Sequence, residues 1–523
     1  MAVFELIITL LFIGAVLAAV ARRLNAPYPA LLALAGTALA LLPGAPSVTL
    51  DPQLALTLFV APVLLDAAFD ASPRDLKQYW RPVASLALVT VGVTVTAVAI
   101  VARWVVPELP WPAAIALGAI VAPPDAAAAT AVLKQLHPPH RVLVILQGES
   151  LFNDATALLI YRLAVAAAVT GSISGWSAVP MLATVAVGSV LLGVILSRIV
   201  PRVLAGIEDI ATAVIVQFLS TFAVWIIAER LGLSGILTVV VFAILIARTA
   251  PDLIPARIRI PSYAVWEVAV FVLNVLAFIL IGLQLKPILQ RLHGTELITY
   301  TVVAAAVCAS VILVRIVWVM GYLAIARWGT RESAPPNPLR PSFRIGAVIA
   351  WCGMRGIVTL AAALALPDGG PGRFPYRDLV LFTAFCVVLV TLVVQGMTVS
   401  PLMRVLKIHD DGSVEREVRL ARAETARAAL AAVQDTESKA EFAPLLRRKY
   451  ETRLQRAETR TSEAPDGERG LDYTAIHRKA QAAERRTLSD LRTDGVIGDD
   501  AFHRVEEELD WAELNTEGMA REN

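Results

Sequence analysis

Residues 148–162 read Gly-Glu-Ser-Leu-Phe-Asn-Asp-Ala-Thr-Ala-Leu-Leu-Ile-Tyr-Arg, inside an otherwise apolar run. Two carboxylates, an amide and a hydroxyl fall within Glu149–Asp154. An ionised side chain near the centre of a bilayer costs at least a few kcal/mol, on the order of 2.5–3.5 on insertion scales. Such groups face a partner, a cavity or a transported ion. On a helix, Glu149 and Asn153 share one face, and Ser150 and Asp154 share the adjacent one. The pattern predicts Asp154 as a titratable ion site with Asn153 as its neutral neighbour. The competing expectation is a satisfied polar cluster that glues helices together.

The elements that must hold these residues are membrane spans. The 523-residue chain is 57% hydrophobic and only 17% charged, against about 25% charged in soluble domains. Residues 1–405 are successive apolar runs, whereas 409–523 are strongly charged and polar. The formal charge of +2 averages two unlike regions and says little about partners. No nucleic-acid motif, Gly-rich phosphate loop or cofactor motif appears. Cys308, Cys352 and Cys386 lie in apolar runs without metal-ligand spacing and read as small hydrophobes. Arg22-Arg23 follow the first apolar stretch, the reverse of a cleavable signal, so that stretch is expected to be a retained helix.

Spans of ~20 apolar residues can be placed thirteen times, among them 111–133, 141–169, 297–326, 345–366 and 379–403, with short ones at 29–43 and 234–248. Threaded this way, the loops of one side carry about three times as many Lys and Arg as the other, from Arg22 and Arg23 through to Arg404 and Lys407. The positive side is cytoplasmic. The N-terminus is therefore expected outside, and the charged tail inside, a cell membrane.

Two spans carry helix breakers. Ala122-Pro123-Pro124-Asp125 interrupts the fifth, and Gly353-Met354-Arg355-Gly356 interrupts the twelfth. Proline removes a backbone donor and clashes with the preceding turn. Unwound backbone at membrane depth survives only inside protein or along a cavity. An offset of seven spans fits two inverted six-helix repeats joined by one linking helix, and paired interruptions point to a transporter's binding site.

Four acids lie within predicted spans, Asp66, Asp125, Glu149 and Asp154, with two arginines, Arg315 and Arg355. Asp125, Asp154, the Ser150 hydroxyl and carbonyls freed at Pro123-Pro124 can supply the oxygen ligands that a hard cation such as Na+ needs. A carboxylate there is either ion-bound or protonated, because leaving it charged and empty is costly. Competition of a cation and a proton for Asp154 is then enough for exchange. Buried arginine must be paired, which makes Glu149 a structural strut to Arg315 or Arg355. Asp66 is an accessory candidate near the cytoplasmic end, where Arg74 and Lys77 could also hold it at the interface. Glu267 reads as a boundary residue, and His137 and His140 as surface histidines, with a pH-sensing role for either as the alternative. Beyond Lys407, residues 414–460 read as helix, 461–470 as a linker, and 473–493 and 499–515 as a helical pair.

Residues 148–157 resemble the signature of monovalent cation/proton antiporters of the NhaP and NHE kind, with support from 121–132, 273–285, Arg315 and 353–356. The resemblance spans about 1–405, and the tail at 488–513 is similar to tails of bacterial members. It implies an all-α, NhaA-like fold and a homodimer. Dimerisation helices are expected at about 1–70 and 206–288, core helices at about 82–170 and 297–405, and a cytoplasmic helical tail at 408–523. It also implies elevator-like movement of the core, a Glu149–Arg315 pair, and electroneutral exchange, because Asn153-Asp154 stands where electrogenic members have Asp-Asp. Many relatives have Thr-Asp-Pro where this chain has Pro124-Asp125-Ala126, so one oxygen ligand is missing. Na+ is the expected cargo, with K+ and Li+ as alternatives. The rival classes are a cation channel and an intramembrane aspartyl protease using Asp125 and Asp154, although the Gly-x-Gly-Asp setting of the latter is absent.

Overall fold

In hydrocarbon, only a helix or a closed barrel satisfies every backbone N–H and C=O. The computed structural model describes residues 2–23, 26–43, 51–133, 136, 138–170, 175–254, 256–292, 294–328, 342–368 and 374–436. Beyond these it describes 447–452, 454–455, 484, 486–487 and 511. All regular structure among the described residues is helical.

The first helices are α1 (Ala2–Arg23), α2 (Tyr28–Leu41), α3 (Pro52–Phe69), the short α4 (Pro73–Gln78) and α5 (Trp80–Val105). Next come α6 (Trp111–Val121), α7 (Ala126–Leu133), α8 (His140–Thr170), α9 (Gly175–Ala205), α10 (Ile210–Arg230) and α11 (Gly235–Leu253). They are followed by α12 (Ala256–Leu283), α13 (Leu285–Gln290), α14 (Gly294–Trp328), α15 (Phe343–Trp351), α16 (Ile357–Leu364) and α17 (Arg377–Val405). Nine helices among the described residues are long and apolar enough to cross a bilayer. Both interruptions read from the sequence are present. The prolines separate α6 from α7, and 352–356 is unwound between α15 and α16.

Local signals set the starts. Asp51 accepts from Leu54 N at 2.8 Å and Asp209 from Thr212 N at 2.7 Å, each satisfying a donor that a helix start leaves free. In α4, Pro73 sits in the first turn, and the Ser72 hydroxyl accepts from Asp75 N at 3.3 Å.

Packing sorts the helices. One cluster joins α5, α6, α8, α14, α16 and α17 through Val98, Leu117, Tyr161, Val307 and Val387. Another joins α3, α10 and α11 through Leu65, Trp225 and Phe242, touching α8 at Leu151. A third brings α2 and α12 against α7, α8, α15 and α17. Phe12, Ile298, Val317 and Ile325 are exposed on the outside, as an apolar solvent allows. Contacts divide the chain into Met1–Asp411 and Gly412–Asn523. The second unit contains α18 (Ser413–Thr436), which agrees with the first part of the expected tail helix. The expected linker at 461–470 lies outside the described residues, as do 473–493 and 499–515 apart from 484, 486–487 and 511.

Helix α2 meets α12 backbone to backbone. A Cβ on Gly36 would lie 3.0 Å from the Ile279 carbonyl carbon and 3.2 Å from Gly282 Cα, and one on Gly282 would strike the backbone of α2. Small residues permit this approach where apolar solvent offers no other drive for helix association. Gly36→Val is expected to lower the melting temperature of the detergent-solubilised protein, at an overpacking cost of about 1–3 kcal/mol. Gly321→Ala, with open space around it, should leave melting unchanged or raise it. Equal melting of both variants would contradict the close approach.

Candidate functional site

The two breaks meet. Asp125 N donates to Met354 O at 2.7 Å, so each unwound segment is satisfied partly by the other. Two helices end here, α6 and α15, and two begin, α7 and α16. A helix C-terminus carries about half a negative charge and an N-terminus about half a positive one.

Arginines serve the C-terminal ends. Arg355 donates from Nε to Val121 O at 3.0 Å, from Nη2 to Ala122 O at 3.2 Å, and from Nη1 to Gly353 O. Its own backbone N donates to Thr391 Oγ1 at 3.0 Å. Arg315 donates to Ile349 O from Nη2 at 3.1 Å and from Nε at 3.3 Å. It also clasps Glu149 bidentately, Nη1 to Oε1 and Nη2 to Oε2, the latter at 2.8 Å. Both partners are 1% exposed. The structure thus gives Glu149 to Arg315. Arg355 departs from the expected ion pair and serves Val121 O and Ala122 O, whose helical partners would be the backbone groups of residues 125 and 126, where the chain has left α6.

Asp125 occupies the N-terminal ends. It immediately precedes α7, and its carboxylate lies against Gly356, where any Cβ would collide with Oδ2. Only a glycine at 356 lets that carboxylate approach the start of α16. Asn153 Nδ2 donates to Pro124 O at 3.2 Å, so this freed carbonyl is already engaged by the protein. Asn153 Oδ1 is buried and accepts no hydrogen bond among the described residues.

The helical register of α8 divides the motif as its spacing suggests. Glu149 and Asn153 reach other protein groups, whereas Ser150 and Asp154 line a cavity of about 810 Å³. Asp125, Thr130 and Gln147 line the same cavity, and opposite them stand Asp66 and Asp70 of the α3 end, Gln217 of α10, and Ser262, Glu267 and Asn274 of α12. Asp66 therefore shares the cavity with Asp154, and Glu267 lines it as well. Gln217, a lone amide in an apolar run, escaped the sequence reading, and Asn274 lay inside the 273–285 motif without being singled out. Among the described residues no group of three or more His, Cys, Asp or Glu is arranged to hold a metal. The oxygens that the cavity lining offers are those of carboxylates, hydroxyls and amides.

Broken helices thus meet at a buried carboxylate beside a cavity lined by both polar and apolar side chains. The profile of the family described as sodium/hydrogen exchanger, transmembrane, matches residues 7–405. The chain belongs to this family of cation/proton antiporters, which are transporters rather than enzymes, so the protease reading falls away. It is 30% identical over 528 residues to an uncharacterised Na+/H+ exchanger of Mycobacterium tuberculosis, covering 98% of this chain and 96% of that one. It is 32% identical over 391 residues to a sodium, potassium, lithium and rubidium/H+ antiporter of Bacillus pumilus, covering 71% and 57%. The fold is similar to that of the sodium proton antiporter MjNhaP1 of Methanocaldococcus jannaschii, with a TM-score of 0.60 at 19% identity over 77% of this chain and 98% of that one.

Breaking the buried pair by Glu149→Gln leaves the Arg315 guanidinium uncompensated, at about 3–5 kcal/mol. Glu149→Gln is therefore expected to melt well below Asp154→Asn, whose side chain faces the cavity. The reverse order in a thermal-shift measurement would remove the strut role.

Proposed function

We propose that this antiporter exchanges one Na+ for one H+ and that Asp154 is the carboxylate they share. The observation that carries this reading is the cavity that reaches Asp154 and Ser150 while Glu149, on the same helix, is locked to Arg315. A cation arriving from the cavity takes oxygen ligands from Asp154, Asp125 and Ser150, with Asn153 Oδ1 or water completing the shell. The proton leaves Asp154 as the cation binds, and returns as it departs. An ionised, empty carboxylate at this depth is costly, so the site crosses only when neutralised.

The charges next to Asp154 support the one-for-one ratio that the family resemblance implies. Glu149 and Arg315 cancel each other, Arg355 serves helix C-termini, Asp125 serves N-termini, and Asn153 does not titrate. One carboxylate then changes state per cycle. The arrangement supports thirteen spans in two inverted repeats, with the core helices α5–α8 and α14–α17 moving as an elevator against dimerisation helices including α1, α2 and α12.

The Lys- and Arg-rich loops support a cytoplasmic position for the cavity mouth and the tail, and an outside N-terminus. At the other end Arg291, just after α13, pairs with Asp368 at 2.9 Å, and Arg377 lies 3.3 Å from the same acid. These contacts support a carrier open inward and closed outward. Pro124 in place of the usual threonine removes one fixed ligand, and the Bacillus pumilus relative's name covers four alkali cations. Both favour a broad cargo range that includes Li+ and K+.

The test is a proteoliposome carrying an imposed pH gradient. Added Na+, Li+ or K+ should dissipate it in the wild type, and Asp154→Asn should abolish this without loss of fold. Normal transport by Asp154→Asn would overturn the assignment. In a second measurement, clamping the membrane potential should leave the rate nearly unchanged, whereas a steep voltage dependence would rule out the one-for-one ratio.

A further inference from the structure

The lining of the cavity ends at Asp154 on α8 and at Gln217 on α10. Beyond those residues α8 closes on α10 and α11. Ala155 and Leu158 of α8 pack on the cluster that holds Val224 and Trp225 of α10 with Ile236 and Val239 of α11. The Trp225 ring lies against the start of α11, where a Cβ on Gly235 would be 2.8 Å from Cδ2. This packing separates Asp154 from the side of the protein opposite the cavity.

One turn past Leu158, the apolar contact is followed by a charged one. Arg162 Nη2 donates to both carboxylate oxygens of Glu229, at 3.1 Å each. Glu229 Oε1 also accepts from Gly235 N, the first residue of α11, at 3.3 Å. Arg162 lies eight residues beyond Asp154, which is about 12 Å along a helix. That distance takes it from the depth of the site toward the edge of a hydrocarbon core about 30 Å thick. Glu229 is the next-to-last residue of α10, and the helix dipole favours cations, not anions, at that end. Arg162 and the backbone N–H at the start of α11 compensate, so one carboxylate joins α8, α10 and α11.

The partners belong to different groups of helices. Arg162 rides on α8, which carries Asp154, and Glu229 lies in the 206–288 group expected to form the dimer. We propose that Arg162 and Glu229 are positioning residues for exchange, and that their ion pair locks the outer route to Asp154 between α8 and the α10–α11 pair. This rests on the antiport reading above. Movement of α8 past α10 separates the two charges, lifts Leu158 off the Trp225 cluster and admits water to Asp154 from the outer face. The pair then exists in only one end state, and an interaction shifts an equilibrium only by its difference between the two states. Its side chains are 48% and 39% exposed, so solvent keeps the lock weak and it biases the carrier rather than trapping it.

The test measures the half-saturating Na+ concentration at each face, in right-side-out and inside-out vesicles of an antiporter-deficient host. It compares full-length wild type, Arg162→Gln, Glu229→Gln and the double variant. Glutamine at 229 can still accept from Gly235 N, so the turn between α10 and α11 is kept. Apparent affinity at one face is the intrinsic affinity reduced by the fraction of carrier open to that face. Each single variant should therefore lower the external value relative to the internal one by about two- to fivefold, the scale of a partly exposed ion pair. The double variant should match the singles, because either substitution removes the same lock. An unchanged ratio in both singles would overturn the proposal, and so would a double effect equal to the product of the two.

A second measurement needs no transport. Leu158→Cys is labelled in intact cells by a membrane-impermeant maleimide added outside, with the parent protein giving the background of Cys308, Cys352 and Cys386. Adding Glu229→Gln should raise the labelling about two- to fivefold, and Ala155→Cys repeats the comparison nearer to Asp154. Labelling indifferent to Glu229→Gln at both positions would overturn the lock. Absence of exchange by the wild type would refute the antiport reading, while the labelling would still decide whether the pair closes the outer route.

Discussion

The hydrogen bond from Asp125 N to Met354 O fixes everything around it, because it joins two segments of unwound backbone that could not exist apart. Open backbone in hydrocarbon costs several kcal/mol per unsatisfied group, and each break supplies what the other lacks. The junction brings two helix C-termini and two N-termini together, each end worth about half a charge. Arg355 and Arg315 answer the negative ends, and Asp125 stands at the positive ones. Their charges are explained by the helices they terminate, before any cargo is considered.

Within this frame the difference between Glu149 and Asp154 comes down to register. One step along α8 turns a side chain by about 100°, so Glu149 points into the packed junction and Asp154, five residues on, into the cavity. Removing one partner of a buried ion pair costs about 3–5 kcal/mol, which pins Glu149 in place. Asp154 has no such anchor among the hydrogen bonds described, which is what the proposed exchange of a proton for a cation requires. Asn153, beside it, braces Pro124 O. The motif therefore holds a half engaged by other protein groups and a half lining the cavity, on one turn and a half of helix.

Much of this could be read from the residues. Charges in apolar runs announced the site, and two breaks at matching places announced the junction. The α8 spacing separated the two faces correctly, since side-chain direction on a helix is local. Other features depend on what lies opposite. Nothing near Arg355 in sequence shows that its guanidinium meets Val121 and Ala122 rather than Glu149, because those carbonyls come from a helix more than two hundred residues away. Glu267 reads as a boundary residue from its distance to a span's end, and it is exposed; that it also lines the cavity depends on neighbouring helices. Gln217 and Asn274 line that cavity for the same reason. His140 reads as a surface histidine, and its partner Asp75 comes from the connection between two other helices.

The cavity's two walls also differ in a way that bears on movement. Asp125, Asp154, Ser150 and Thr130 belong to the wall that contains the junction, whereas the facing wall offers Phe59, Trp266 and Phe271, the amides Gln217 and Asn274, and acids toward its mouth. Opposite charges locked across the gap would hold the walls together, since a buried pair resists separation. The described ion pairs inside the site, by contrast, keep to one wall. Two described pairs that do cross are exposed ones away from the site, Arg162 of α8 with Glu229 of α10 and Arg291 with Asp368, all four side chains roughly two-fifths to one-half exposed. Solvent screening reduces such a pair to about 0–1 kcal/mol.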